Sequence, residues 1–375
     1  MSHLPSPVGH GYMLLADISG YTAFLAQTEL EHAQEILGDL LDTIQQRIQT
    51  LLTVHKIEGD CVFAYRSDAA VLRGETLLEL IEATYADFRQ RMKSVRRHTT
   101  CTCRACQSIP MLDLKFMVHF GEFALQRIGG ARELAGSDVN LAHRLLKNHV
   151  TERTGWRAYA LFTQAALDRM GLQLEDLVES LESYEHLGTT QAFAMDLLAR
   201  HEARLESRRV VVEPAEALCS FSETFNVPAP VVWSWLNDPA RRRLYTPRGG
   251  TLEFVPVLRP AGRTAAGAVT HCVHGSKVSM RETVLDWKPF EYYTVEQDNG
   301  AMGIMRITYT FEELEGGETR LKMHLNGRMP HLPAFLGRAA LKFMFTRLFN
   351  YGDLARKAKE LMELEAGAPP ERPAG

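Results

Sequence analysis

Charge of one sign is what this chain most lacks. Its 375 residues carry 42 Lys and Arg against 46 Asp and Glu, a formal net charge of −4. That balance excludes a nucleic-acid binder held by bulk charge. Cysteine is scarce too, and six in a chain of this length are not a disulfide scaffold. Long apolar runs are missing. The first residues contain Pro5 and Pro7 and no apolar signal core, and no stretch approaches the ~18 apolar residues that span a bilayer. Leu341 to Phe349 is the most lipid-like stretch, but Lys342 and Arg347 break it. The expectation is a soluble, cytoplasmic protein. What is present is an ordinary globular mixture, 45% hydrophobic and 23% charged. The length exceeds what one core fills, so two domains are expected.

Hydrophobic periodicity orders the first half. Tyr12 to Ala16 reads as a buried strand ending at Asp17. Helical spacing follows from Tyr21 to Leu52. Val54–Ile57 and Cys61–Tyr65 read as two strands round a turn at Glu58-Gly59. Glu75 to Met92 reads as a helix, Leu112–Phe120 as a strand and Val139–His149 as a helix. Arg157–Phe162 is strand-like, Thr163–Met170 helical, and Gln191–Leu197 the last strand. The order strand, helix, strand, strand, helix, strand is the ferredoxin-like pattern.

Three segments carry chemistry. Asp17 ends a strand in Ala16-Asp17-Ile18-Ser19-Gly20-Tyr21-Thr22, and Asp60 sits at the turn of Lys56-Ile57-Glu58-Gly59-Asp60. Two carboxylates at adjacent strand ends can hold two hard divalent cations. Singly, each is read as easily as a helix cap or a turn residue. The third segment runs from Gly136 to Lys147. On a helix, Leu141, Ala142, Leu145 and Leu146 form an apolar stripe, and Asn140, Arg144 and Lys147 share the opposite face. An amide and a guanidinium on one ridge can orient a ribose oxygen and neutralise a phosphate.

Taken in order, these segments resemble the class III adenylate and guanylate cyclase catalytic domain, over about Tyr12 to Leu197. The resemblance implies an α+β fold: a ferredoxin-like cyclase domain. It implies that Asp17 and Asp60, with the Ile18 carbonyl, hold two Mg²⁺ or Mn²⁺ ions. It implies that Asn140 orients the ribose and that Arg144 stabilises charge on the α-phosphate. Lys56 and Glu133 fall at its base-reading positions, where an ammonium can donate to adenine N1 and a carboxylate can accept from the exocyclic amine. ATP is therefore the expected substrate. The family's later Lys-Gly-Lys segment maps to Leu187-Gly188-Thr189, without the lysine, and Lys147 is the candidate to compensate. In the family the site lies between two such domains. This chain has one copy, so a homodimer is implied.

The basic insert at 93–110 contains His98, Cys101, Cys103 and Cys106. Four such ligands in nine residues suit a tetrahedral structural Zn²⁺ site. A loop of free thiols and a redox-sensitive loop stay open as alternatives.

From about Leu218 to Leu364 the order of elements resembles the START-like, polyketide-cyclase-like (SRPBCC) helix-grip fold: strand, helix with Trp233 and Trp235, antiparallel strands, and a long helix from about Pro333 to Leu364. That resemblance implies an apolar cavity for a hydrophobic small molecule or lipid. Leu341, Phe343, Met344, Phe345, Leu348 and Phe349 are candidate walls, with Met280, Met302 and Met305. The expected division is 1–198 for the cyclase-like domain, 199–210 for a linker, 211–365 for the START-like domain and 366–375 for a disordered tail. Two functional readings follow. One is an adenylate cyclase regulated by a hydrophobic ligand. The other is a non-catalytic nucleotide-binding or dimerisation module attached to a ligand-binding domain.

Overall fold

A computed structural model describes residues 8–67, 73–98, 104–128, 131–206, 209–246, 252–275, 277–329, 331–348 and 351–367. The chain divides into two compact units, Met1–Ser207 and Arg208–Gly375. No helix among the described residues is long and apolar enough to cross a membrane.

The first unit opens with β1 (Val8–Ser19), α1 (Tyr21–Gln27), α2 (Leu30–Ile48), β2 (Thr53–Glu58), β3 (Cys61–Ser67) and α3 (Gly74–His98). The single helix expected from Tyr21 to Leu52 is therefore two. A short α4 (Arg104–Ser108) precedes β4 (Asp113–Ile128) and β5 (Ala131–Ala135). Then come α5 (Ser137–Arg144), α6 (Val150–Thr154), β6 (Tyr159–Thr163), α7 (Gln164–Met170), β7 (Val178–Tyr184), β8 (Gly188–Asp196) and α8 (Leu197–Glu206).

The sheet order is β2-β3-β1-β4-β6-β8-β7, with β5 paired to β4. Its first four members form the ferredoxin-like arrangement, with β1 antiparallel to both β3 and β4. Tyr12 to Ala16 of β1 are fully buried, so the sheet is covered on both faces. Alternation sorts them. Met13 and Leu15 pack with Phe63, Met117, Val139, Ala142 and Leu145, which lays α5 on that face. Asp17 continues the same odd-numbered row. Gly20, just beyond, has φ +87, and a Cβ there would lie 2.5 Å from the Met111 carbonyl oxygen. Only glycine fits that turn.

The second unit begins with β9 (Cys219–Phe225), α9 (Ala229–Asn237) and α10 (Pro239–Tyr245). Its remaining strands are β10 (Leu252–Leu258), β11 (Val269–His274), β12 (Lys277–Lys288), β13 (Tyr292–Asp298), β14 (Ile304–Glu313) and β15 (Thr319–Arg328). They form one antiparallel sheet of order β10-β11-β12-β13-β14-β15-β9. Trp233 of α9 is buried against Trp287, Tyr293 and Phe311, at ring-centroid distances of 4.6, 5.2 and 5.2 Å. The chain closes with α11 (Ala334–Phe343), a π-helical turn at Met344–Leu348 and α12 (Tyr351–Gly367). Of the single long helix expected from Pro333 to Leu364, the described residues 334–348 and 351–367 are helical, with a π-helical turn at Met344–Leu348. Of the candidate cavity walls, Leu341, Phe345 and Met305 are buried, whereas Phe343 and Met302 are exposed. Phe349 and residues 368–375, the latter most of the expected tail, lie outside the described residues.

Candidate functional site

Asp17 stands at the carboxyl end of β1, with Cys61 of β3 as its partner on one side and Lys115 of β4 on the other. The β2–β3 turn uses Gly59 at φ +62 to reverse the chain. That reversal brings Asp60 back to β1, where the Ile18 N–H donates to the Asp60 carbonyl at 3.1 Å. Burial, then the Asp17 charge, push the Asp60 carboxyl above its ordinary range. Two like charges thus share one strand end. Burial also pushes the neighbouring Cys61 thiol far up, which leaves it unreactive.

The site contains a cation of its own. Lys115 Nζ lies 3.2 Å from Asp17 Oδ2 and donates to the Leu146 carbonyl at 3.3 Å. Burial opposes the charge on Lys115, but Asp17, Tyr159 and Asp60 together outweigh it and hold the ammonium above its usual value. Two carboxylates and the Ile18 carbonyl form an all-oxygen donor set, which suits hard divalent ions. Among the described residues no three His, Cys, Asp or Glu side chains gather as a metal cluster. The Asp17–Asp60 pair is one carboxylate short of that number and depends on backbone oxygen to complete a shell.

A second group forms where β2 meets the β4–β5 hairpin. Pairing of Gln126 with Glu133 places the latter. Lys56 Nζ then lies 2.7 Å from Glu58 Oε1 and 3.6 Å from Glu133 Oε2. Its hydrogen bond to Glu58 is the main reason its pKa rises. His55, whose side chain is almost wholly buried, accepts the Leu134 N–H through Nε2 at 3.4 Å. The same nitrogen is 3.3 Å from Glu133 Oε2. Through this one nitrogen His55 reaches both the backbone and the Glu133 side chain of β5, and so helps to place the strand.

Helix α5 is anchored at its start. Asp138 accepts the Glu122 N–H at 2.6 Å, and its carboxylate packs on Gly121, where any Cβ would collide with it. Asn140 and Arg144 follow one turn apart, both exposed. The helix ends at Arg144 rather than His149, so Lys147 sits on a 3₁₀ turn at Leu145–Lys147. His143 joins α5 to the second group, with Nδ1 3.7 Å from Glu58 Oε2 and its ring edge-on to Phe63.

The segments singled out by sequence therefore meet within one unit. Asp17, Ile18 and Asp60 share a strand end, Lys56 faces Glu133, and α5 with the 3₁₀ turn after it touches both groups, through His143 of the helix and the Leu146 carbonyl of the turn. Leu187-Gly188-Thr189 forms the tip of the β7–β8 hairpin, with Gly188 at φ +74. The proposed zinc ligands cannot be followed: Cys101, Cys103 and the His98 side chain lie outside the described residues, and Cys106 is half-buried on α4. Lys115 and His55 belong to none of the sequence motifs. The available signal for Lys115 was a lysine inside the apolar alternation Leu114–Val118.

Comparison with known proteins bears on each unit. Residues 219–363 match the family described as polyketide cyclase / dehydrase and lipid transport. Residues 37–154 match a family described as a protein of unknown function, DUF2652. An uncharacterized protein of Mycobacterium tuberculosis is 30% identical over 145 residues, which are 38% of this chain and 65% of that protein. The chain thus spans just under two thirds of that relative. Among solved structures, an adenylyl cyclase from P. aeruginosa is 16% identical, covering 56% of this chain and 100% of that one, at a TM-score of 0.40. A guanylyl cyclase is 13% identical over 51% of this chain and 93% of its own, also at 0.40. A bacterial light-regulated adenylyl cyclase is 15% identical over 53% of this chain and 58% of its own, at 0.39. Both kinds of cyclase occur among these neighbours, and at such scores no step of a mechanism follows from them.

Proposed function

We propose that the first unit is a nucleotidyl cyclase that converts ATP to 3′,5′-cyclic AMP and pyrophosphate, and that a hydrophobic ligand of the second unit regulates it. The observation that carries this reading is the convergence of three segments within one unit: the Asp17–Asp60 strand end, the Lys56–Glu133 pair, and α5 with the turn that follows it, linked by contacts of 3.1 to 3.7 Å. Asp17, Asp60 and the Ile18 carbonyl would hold Mg²⁺ or Mn²⁺. When bound, such ions neutralise the α-phosphate and acidify the ribose 3′-hydroxyl. The protein's own groups do the rest. The exposed Asn140 amide orients the ribose so that its 3′-oxygen lies in line with the bond to the leaving pyrophosphate. The Arg144 guanidinium, unable to lose its proton, balances charge on the α-phosphate as it builds. Lys56 donates to adenine N1, and Glu133 accepts from the exocyclic amine and repels the guanine O6. The polyketide cyclase and lipid transport match supports ligand binding by the second unit.

Each chain contains one copy of these groups, so the proposal includes a twofold homodimer. In it, Asp17 and Asp60 of one subunit face Lys56, Glu133, Asn140 and Arg144 of the other. One observation favours a second reading, a nucleotide-binding or dimerisation module without turnover: Leu187-Gly188-Thr189 brings no lysine to the triphosphate. The deciding experiment is incubation of the purified full chain with ATP or GTP and Mn²⁺. Cyclic AMP from ATP is expected. Nucleotide binding with no cyclic product from either nucleotide establishes the second reading instead.

A further inference from the structure

Helix α11 has two apolar faces, and only one is used. On the inner face Leu341 is fully buried, its side chain 3.1 Å from where a Cβ on Gly327 of β15 would sit, and Gly337 closes on Met329. On the outer face Phe335 is 71% exposed, Phe343 60% and Leu336 47%. Leu332, just ahead of the helix, is 41% exposed. Positions 332, 335, 336 and 343 fall on one stripe at helical spacing. Scattered exposed apolar residues are ordinary, but an aligned pair of phenylalanines with two leucines is a surface that something covers.

Charge says what covers it. Residues 331–348 contain Arg338, Lys342 and Arg347 and no Asp or Glu, in a chain whose net charge is −4. Arg338 and Lys342 are exposed beside the stripe. A second copy of the chain fits poorly: a twofold contact through this face would set Arg338 and Lys342 against themselves. An anionic bilayer fits both features. Its headgroups take the cations while the phenylalanines enter the acyl boundary. We propose that α11 docks this protein on the surface of an anionic phospholipid membrane, lying in the interface and not crossing it. The proposal is independent of what the first unit catalyses.

The test is co-sedimentation of the full chain with vesicles of phosphatidylcholine, alone or with about one third phosphatidylglycerol. Binding to the anionic vesicles is expected, falling steeply as salt is raised. The double variant Phe335→Ser/Phe343→Ser should bind at least tenfold more weakly. Lys342→Glu, a change of two charges, should bind about thirtyfold more weakly. Both substitutions are on exposed side chains, so thermal unfolding in solution should be unchanged. Wild type that ignores both kinds of vesicle, or a double variant that binds as well as wild type, overturns the proposal. So does a dimer in sedimentation velocity that the double variant dissolves while vesicle binding is absent, since the face is then a contact between copies.

Discussion

Replacing Lys115 by Met removes the ammonium from the carboxylate pair and keeps the length of the side chain. The Lys115 and Asp17 side chains are only 18% and 15% exposed, with N–O separation 3.2 Å. At an effective dielectric constant of about 20, that separation corresponds to roughly 5 kcal/mol of gross attraction. Most of it offsets the cost of burying two charges. Removing one partner, however, leaves the other buried and uncompensated, which typically costs about 3–5 kcal/mol. Here Asp17 also faces Asp60, whose carboxyl it already pushes up. Residual solvent access softens the penalty, so a loss of about 3 kcal/mol is expected for Lys115→Met. For a unit of this size that is a fall of roughly 6–12 °C in the unfolding midpoint. A divalent cation held by the same carboxylates should stand in for the ammonium. The assay is thermal unfolding of the full chain by circular dichroism, once in EDTA and once in excess Mn²⁺. The variant should melt early in EDTA and recover most of the difference with Mn²⁺, whereas wild type should gain less. An unchanged midpoint in EDTA would refute the counter-ion argument, and an equal Mn²⁺ shift in both proteins would refute the substitution argument.

Two further expectations follow from the same unit. Asp17→Ala and Arg144→Ala homodimers should each be nearly inactive, while mixing them should recover about a quarter of wild-type activity. Half of the randomly exchanged dimers then hold one intact site, and a mixture that stays dead after confirmed subunit exchange rules out the shared site. Glu182 is fully buried and accepts from the Ser180 hydroxyl and the His149 N–H at 2.6 and 3.1 Å. Burial opposes its charge, but these bonds and the His149 ring hold its carboxyl below the ordinary value of 4.5. Its stabilising effect is therefore present above that value and is lost as pH falls through the lower folded-state value. Glu182→Gln should cost about 1–3 kcal/mol in a urea melt at neutral pH, and the gap from wild type should narrow in a second melt at a pH well below 4.5. A gap of the same size at both pH values contradicts the assignment.

Legibility from sequence varied with how local each feature is. The strands expected at Cys61–Tyr65 and Arg157–Phe162 appear as β3 and β6, within two residues of those bounds. The three chemical segments fell on a strand end, a hairpin and a helix start, because glycines and caps mark such places in the chain itself. β5 and β7 were invisible. Ala-Arg-Glu-Leu-Ala has helical propensity and becomes a strand only because β4 runs long enough to pair with it. β7 is an edge strand whose inward positions are the polar Ser180 and Glu182 while Leu181 faces outward, so no hydrophobic alternation marks it. The π-helical turn at Met344–Leu348 has no proline or glycine within it to announce it. Lys115 escaped notice for the strongest reason. Its reading as an inward charge needs Asp17, and nothing near Lys115 in the chain says that Asp17 is there.

That separation shapes how the unit is made. Asp17 and Lys115 are partners across the β1–β4 ladder although 98 positions lie between their numbers (115 less 17). The hairpin that returns Asp60 to β1 spans less than half that distance. A growing chain can therefore complete the carboxylate pair well before the strand that neutralises it has been synthesised. Closing so long a loop is entropically expensive, and topologies that rely on such closures fold slowly. Until β4 docks beside β1, the nascent unit holds two repelling acids at an open sheet edge. The lysine that neutralises them arrives on the same strand that covers that edge, so electrostatic relief and edge protection come in one step.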